Sequence, residues 1–118
     1  MSRIAEEIYS ILKRYFPNYT ILTEYYVKYK GIKLFFDFYI KEFGALIEVQ
    51  GRQHTYYVHH FHGCMDNFRA QKRRDNLKLQ YVQEHDNLCI ARFFYDEKIT
   101  EDLVIGKIYK AIERGFHE

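Results

Sequence analysis

The chain has 118 residues, 47% hydrophobic and 29% charged, with a net charge of +2, an ordinary globular balance with no signature of disorder. No stretch reaches the ~20 consecutive apolar residues of a membrane-spanning helix. The opening "MSRIAEEIYS" lacks the apolar core of a signal peptide, so a cytoplasmic protein with no membrane partner is expected.

The length suits one domain over residues 1–118, and Cys64 and Cys89 fit reduced thiols. Ile4, Ile8, Ile11, Leu12 and Tyr15 recur at helical spacing and predict a helix over 2–16, capped by Ser2 and closed by Pro17. Residues 20–29, "TILTEYYVKY", are β-branched and aromatic and predict a strand. "KG" at 30–31 turns the chain into a second strand near 33–40, and Gly44 turns it into a third near 45–50. A loop over 51–63 leads to a long helix at 64–85. The apolar strand "LCIARFF" at 88–94 and a helix at 100–114, with Leu103, Val104, Ile108 and Ile112 inward, complete the chain. The order α-β-β-β-α-β-α predicts an α/β domain with a mixed four-stranded sheet flanked by helices.

Acids interrupt the two strands that should be most buried. Alternation places Leu34, Phe36, Phe38 and Ile40 on one face of the second strand and Phe35, Asp37 and Tyr39 on the other. In the third strand Ala45, Ile47 and Val49 share a face, and Leu46, Glu48 and Gln50 take its opposite. Neighbouring strands lie ~4.8 Å apart, so Asp37 and Glu48 can project from one side, close enough to hold one cation. Two adjacent unpaired carboxylates repel, which a divalent metal relieves. The plainer alternative is a pair of strand-end acids that are solvated or bonded to lysine. The combination of Asp37, Glu48 and Gln50 favours the metal site. Glu7, on the flank of the first helix's apolar stripe, is a candidate further ligand, with an ordinary solvated helix charge as the alternative.

The long helix carries Phe68, Leu79 and Val82 on its inner face together with Gln71, Asp75 and Lys78, while Arg69, Arg73 and Arg74 are expected to point elsewhere. Polar groups on a core-facing stripe mark a hydrogen-bonded network or the edge of a site, and Lys78 can supply the cation that phosphoryl transfer needs. The segment 69–78, "RAQKRRDNLK", is strongly basic, whereas 84–102 leans acidic. A basic strip on a near-neutral chain points to phosphate-bearing partners, and the 12 tyrosines can serve the core, stack on bases or bond phosphates. Arg52, Arg69, Gln71, Lys72, Arg73 and Arg74 are the candidate nucleic-acid contacts. His59, His60, His62 and Cys64 invite a zinc reading, but a structural zinc site needs a second pair of ligands that is missing here; loop histidines near nucleic acid are the favoured account. His54, just past the acid-bearing strand, is a candidate proton carrier or phosphate contact.

Asp on the second core strand in "FDFYI", then "IEVQGRQH", "QKRRDNLK" and a closing apolar strand resemble the PD-(D/E)XK nuclease superfamily, and within it small phage and bacterial endonuclease-like proteins related to very-short-patch-repair enzymes. The resemblance covers roughly residues 1–95 and implies a restriction-endonuclease-like core. It implies that Asp37 and Glu48 bind Mg²⁺, with Mn²⁺ as a substitute, and that Gln50 stands where lysine is usual, with Lys78 or Gln71 compensating. Glu7, His54 and Asp75 match recurrent positions. The zinc-binding cysteines of the short-patch-repair enzymes have no counterpart.

The implied activity is metal-dependent hydrolysis of DNA phosphodiesters by water, leaving 5′-phosphate and 3′-hydroxyl ends. Alternatives are a nucleic-acid-binding protein with a decayed nuclease site, suggested by Gln50, and an RNA-directed nuclease. A chain this small has no separate recognition domain within it. Cutting both strands would require two active sites and hence a homodimer, for which the exposed aromatics of the first hairpin are a candidate interface.

Overall fold

The computed structural model describes residues 1–51 and 65–114. Helix α1, Arg3–Tyr15, begins where the Ser2 hydroxyl accepts the Ala5 N–H at 3.2 Å, the expected N-cap bond. It ends where the Phe16 N–H donates to the Leu12 carbonyl at 2.8 Å, ahead of Pro17. Ala5, Ile8, Ile11 and Leu12 form its buried stripe; Tyr15, expected on that stripe, is 46% exposed.

Strands β1, Ile21–Tyr29, and β2, Ile32–Ile40, form an antiparallel hairpin. Its two turn residues, Lys30 and Gly31, both have positive φ, 52° and 76°, the turn whose twist matches a hairpin. Strand β3, Ala45–Gln50, runs antiparallel to β2 after a short 3-10 turn, Lys41–Phe43. Gly44 ends that turn at φ 63°, and a Cβ there would lie 2.1 Å from the Asn87 carbonyl oxygen. Only glycine lets the β3 entry pass so close to the chain leading into β4, and the Cys89 N–H donates to the Gly44 carbonyl at 2.9 Å.

Helix α2, Met65–Gln83, carries the chain to strand β4, Cys89–Phe94, which pairs parallel to β3. Helix α3, Glu101–Arg114, follows. The mixed sheet has the order β1-β2-β3-β4. Helices α1 and α3 cover one face, where Ile8, Leu12, Phe38, Ile40, Ile47, Phe93 and Ile108 pack together. On the other face α2 contributes Val82 to a smaller cluster with Leu34, Phe36, Leu46 and Ile90. Cys89 is a buried free thiol, pushed up to about 11 by its burial. No helix of the described residues is long and apolar enough to cross a membrane.

The strand faces differ from simple alternation. Leu34 and Phe36 pack on the α2 side, but Phe38 and Ile40 pack on the α1–α3 side. The phase changes at Asp37. In the β1–β2 ladder the pairs Thr23–Phe38 and Tyr25–Phe36 flank an unpaired rung, Glu24 opposite Asp37, and Glu24 has φ 49°. A left-handed glutamate costs on the order of 1 kcal/mol; here it lets both strands shift phase together, so that each half of the hairpin presents apolar residues to a different helix layer.

Candidate metal and phosphate site

The same position ends the contact between β2 and β3. Their ladder covers Ile40–Ala45, Tyr39–Leu46 and Phe38–Ile47 and goes no further. Past it, the Val49 N–H donates to the Asp37 carboxylate at 2.8 Å, so a side chain satisfies a donor that the parted strand no longer reaches. The strands diverge here, and a cavity of about 320 Å³ opens, lined by Ser2, Phe35, Asp37, Glu48, Val49, Gly51 and Lys78.

Glu48 stands at the inner wall of this cavity and is 4% exposed. Its carboxylate is bonded to the Lys78 ammonium, which reaches across from α2. Lys78 also sits 5.4 Å from the centre of the Phe36 ring, a face that favours a cation. Burial pushes the Glu48 carboxyl well above the usual carboxylate range; Lys78 acts against this, while the Asp37 carboxyl, within hydrogen-bonding reach, adds to it. This is the electrostatic state of two acids sharing one low-dielectric corner.

Asp37 and Glu48 therefore meet as expected, and Lys78 joins them. Gln50 is buried two residues beyond Glu48 but is not among the cavity-lining residues. Glu7 does not join the acids: it is half-exposed and faces Arg3 at 3.9 Å, one helical turn away. Among the described residues no three His, Cys, Asp or Glu side chains come together, so a carboxylate triad with Glu7 is not formed. Arg52, His54, His59, His60, His62 and Cys64 lie outside the described residues.

On α2, Asp75 is buried among the inward positions, with Phe68 and Leu79 half-buried. Arg69 is exposed and pairs with Asp66 at 3.4 Å; Lys72 and Arg73 are exposed. Arg74 is exposed as well, as expected. With Gln71, Asp75, Lys78, Lys33, Leu34 and Phe35 it lines a second cavity of about 310 Å³. Gln71 lines this second cavity; Lys78 lines both and is bonded to Glu48.

Two features escape a strand-by-strand reading of the sequence. Phe35, 53% exposed, forms a wall of both cavities. Arg92 of β4 stands in register beside Glu48 of β3; its one signal was a lone charge inside the apolar run "LCIARFF".

The donor set fits a hard divalent cation. Two carboxylates on rigid strands supply oxygen ligands, and a cation between them would offset the charge that burial makes costly. The adjoining cavity leaves room for water and a phosphate, which a catalytic rather than structural ion requires. Compared with protein-family models, curated proteins and solved structures, the chain matches none.

Proposed function

We propose that the chain is a Mg²⁺-dependent endonuclease with a restriction-endonuclease-like core that hydrolyses DNA phosphodiester bonds. One observation carries the reading: the Asp37–Glu48 pair lies where β2 and β3 part, and Lys78 supplies from α2 the cation that Gln50 does not supply from β3. Asp37 and Glu48 would hold the ion, which supplies neutralisation of phosphate charge and acidifies water. Phosphate enters the cavity they line. Lys78 keeps a positive charge at its edge and offsets the negative charge that develops as water attacks phosphorus. The bond to the 3′-oxygen breaks, that oxygen takes a proton, and the new 5′-phosphate keeps the oxygen of the water.

The exposed basic residues Arg69, Lys72 and Arg73 of α2 supply non-specific attraction to the backbone. A homodimer would place two such sites on one duplex. The test is end analysis of a cleaved, labelled duplex with Mg²⁺ or Mn²⁺. The reading expects 5′-phosphate and 3′-hydroxyl termini, lost in Lys78→Met. Binding without turnover under either metal would favour a nucleic-acid-binding protein with a decayed site, and preferential cleavage of RNA in a competition would move the substrate to RNA.

A further inference from the structure

The second cavity is left over by the reaction above, and its walls have a chemistry of their own. From Asp37 back to Ile32, β2 no longer pairs with β3, and an open cleft borders that bare edge beside the middle of α2, while Leu34 and Phe36 stay packed with Val82. Lys33, Leu34 and Phe35 line it from the strand, and Gln71, Arg74, Asp75 and Lys78 from the helix. Leu34 and Phe36, the sequence neighbours of Phe35, are fully buried in the layer under α2, and strand alternation leaves the Phe35 ring out of that layer, 53% exposed. Its neighbour across the hairpin, Tyr26, is 45% exposed, and the two ring centres lie 5.3 Å apart. An aromatic surface beside Lys33, Arg74 and Lys78 combines a flat apolar face with cations, the two elements that single-stranded nucleic acid recognises.

We infer that this cleft is a subsite for an unpaired nucleotide next to the scissile phosphate, with Phe35 as its stacking surface and Lys33 and Arg74 holding its phosphates. The inference rests on the nuclease reading and narrows its substrate to DNA with a single-stranded stretch beside the cut, such as a tailed or branched duplex. Two features argue for this. The cavity of about 310 Å³ is at the small-ligand end of protein pockets, the scale of a single nucleotide. Phe35 and Lys78 border both cavities, so a strand lying across Phe35 enters the carboxylate site directly.

The experiment compares binding, in EDTA to prevent turnover, of a duplex and of the same duplex with a single-stranded tail carrying 2-aminopurine at the junction. Wild type is expected to bind the tailed probe about tenfold more tightly, the increment of one stacked base, and to quench its fluorescence. Phe35→Ala should lose both effects. Phe35→Leu, which keeps apolar area without the ring, should lose them too; both variants alter an exposed side chain and should melt with wild type. Equal binding of the two probes by wild type, or an undiminished preference in both variants, overturns the inference. So does a wild-type dimer that Phe35→Ala dissociates in sedimentation while the preference persists, which would make the aromatics an interface between copies. Metal-dependent nicking by wild type in the same preparation separates failure of the subsite from failure of the nuclease reading.

Discussion

The carboxylate of Asp37 accepts the backbone N–H of Val49 at 2.8 Å, just beyond the last β2–β3 ladder pair. The acid therefore has two tasks: it holds the parted strands, and it offers its remaining lone pairs to the cavity. The tasks separate by mutation. Asp37→Asn keeps an oxygen acceptor for Val49, whereas Asp37→Ala orphans a partly buried N–H, at a cost of about 1–3 kcal/mol. Urea unfolding should rank wild type and Asn near each other and Ala below, while both variants lose cleavage. Equal stability of Ala and Asn would remove the structural task.

Glu48 gives a pH dependence of stability with a definite sign. Its folded-state proton affinity is raised, so between the ordinary carboxylate range and its folded value the native state holds more protons than the unfolded one. Stability then falls as pH rises through that window. In EDTA, wild type should lose stability relative to Glu48→Gln as pH is raised. The opposite slope would mean that the Lys78 ion pair outweighs burial.

Among the described residues, Lys78 pulls the Glu48 carboxyl back down. Lys78→Met should extend the pH window upward and lower stability at neutral pH, because the buried carboxyl must then take up a proton on folding instead of pairing with an ammonium. A melting curve of the variant unchanged from pH 5 to 8 would contradict the pairing.

Alternation and helical spacing place every α-helix and strand of the described residues within about two residues of its observed ends, because each apolar stripe meets a helix or sheet; they do not predict the 3-10 turn Lys41–Phe43. They fail at Asp37. A period of two assumes an unbroken ladder, and nothing in "LFFDFYI" signals that Glu24 and Asp37 face each other unpaired and reset the phase. Asp37, Glu48 and Lys78 were legible as polar residues on inward faces. The cleft was not, since Phe35 and Lys33 become its walls only when β2 leaves β3. Glu7 shows the converse limit: a residue on the flank of a stripe turned to Arg3, a partner one helical turn away.

Gly44 tests the frame that presents the site. Its positive φ and the Asn87 carbonyl beside it leave no space for a side chain, so Gly44→Ala should destabilise by about 3 kcal/mol in urea unfolding. A change under about 0.5 kcal/mol, the usual range of a neutral surface substitution, would mean that β3 enters the sheet by another route.

Nucleic-acid affinity should depend steeply on salt through the exposed cations of α2. The double variant Lys72→Ala/Arg73→Ala should weaken binding to all sequences alike and lower the slope of log K against log salt by about 2. Anisotropy titrations across salt concentrations measure it, and an unchanged slope would put the phosphate contacts elsewhere.

The central claim, that Asp37 and Glu48 form a cation site that cuts DNA, is tested most directly by nicking of supercoiled plasmid. Wild type and Glu48→Gln would be compared with Mg²⁺, Mn²⁺ and EDTA, each protein first checked for a native melting transition. The account predicts nicking by wild type with metal, none in EDTA and none by the folded variant. Nicking by Glu48→Gln at the wild-type rate, or in EDTA, would contradict it.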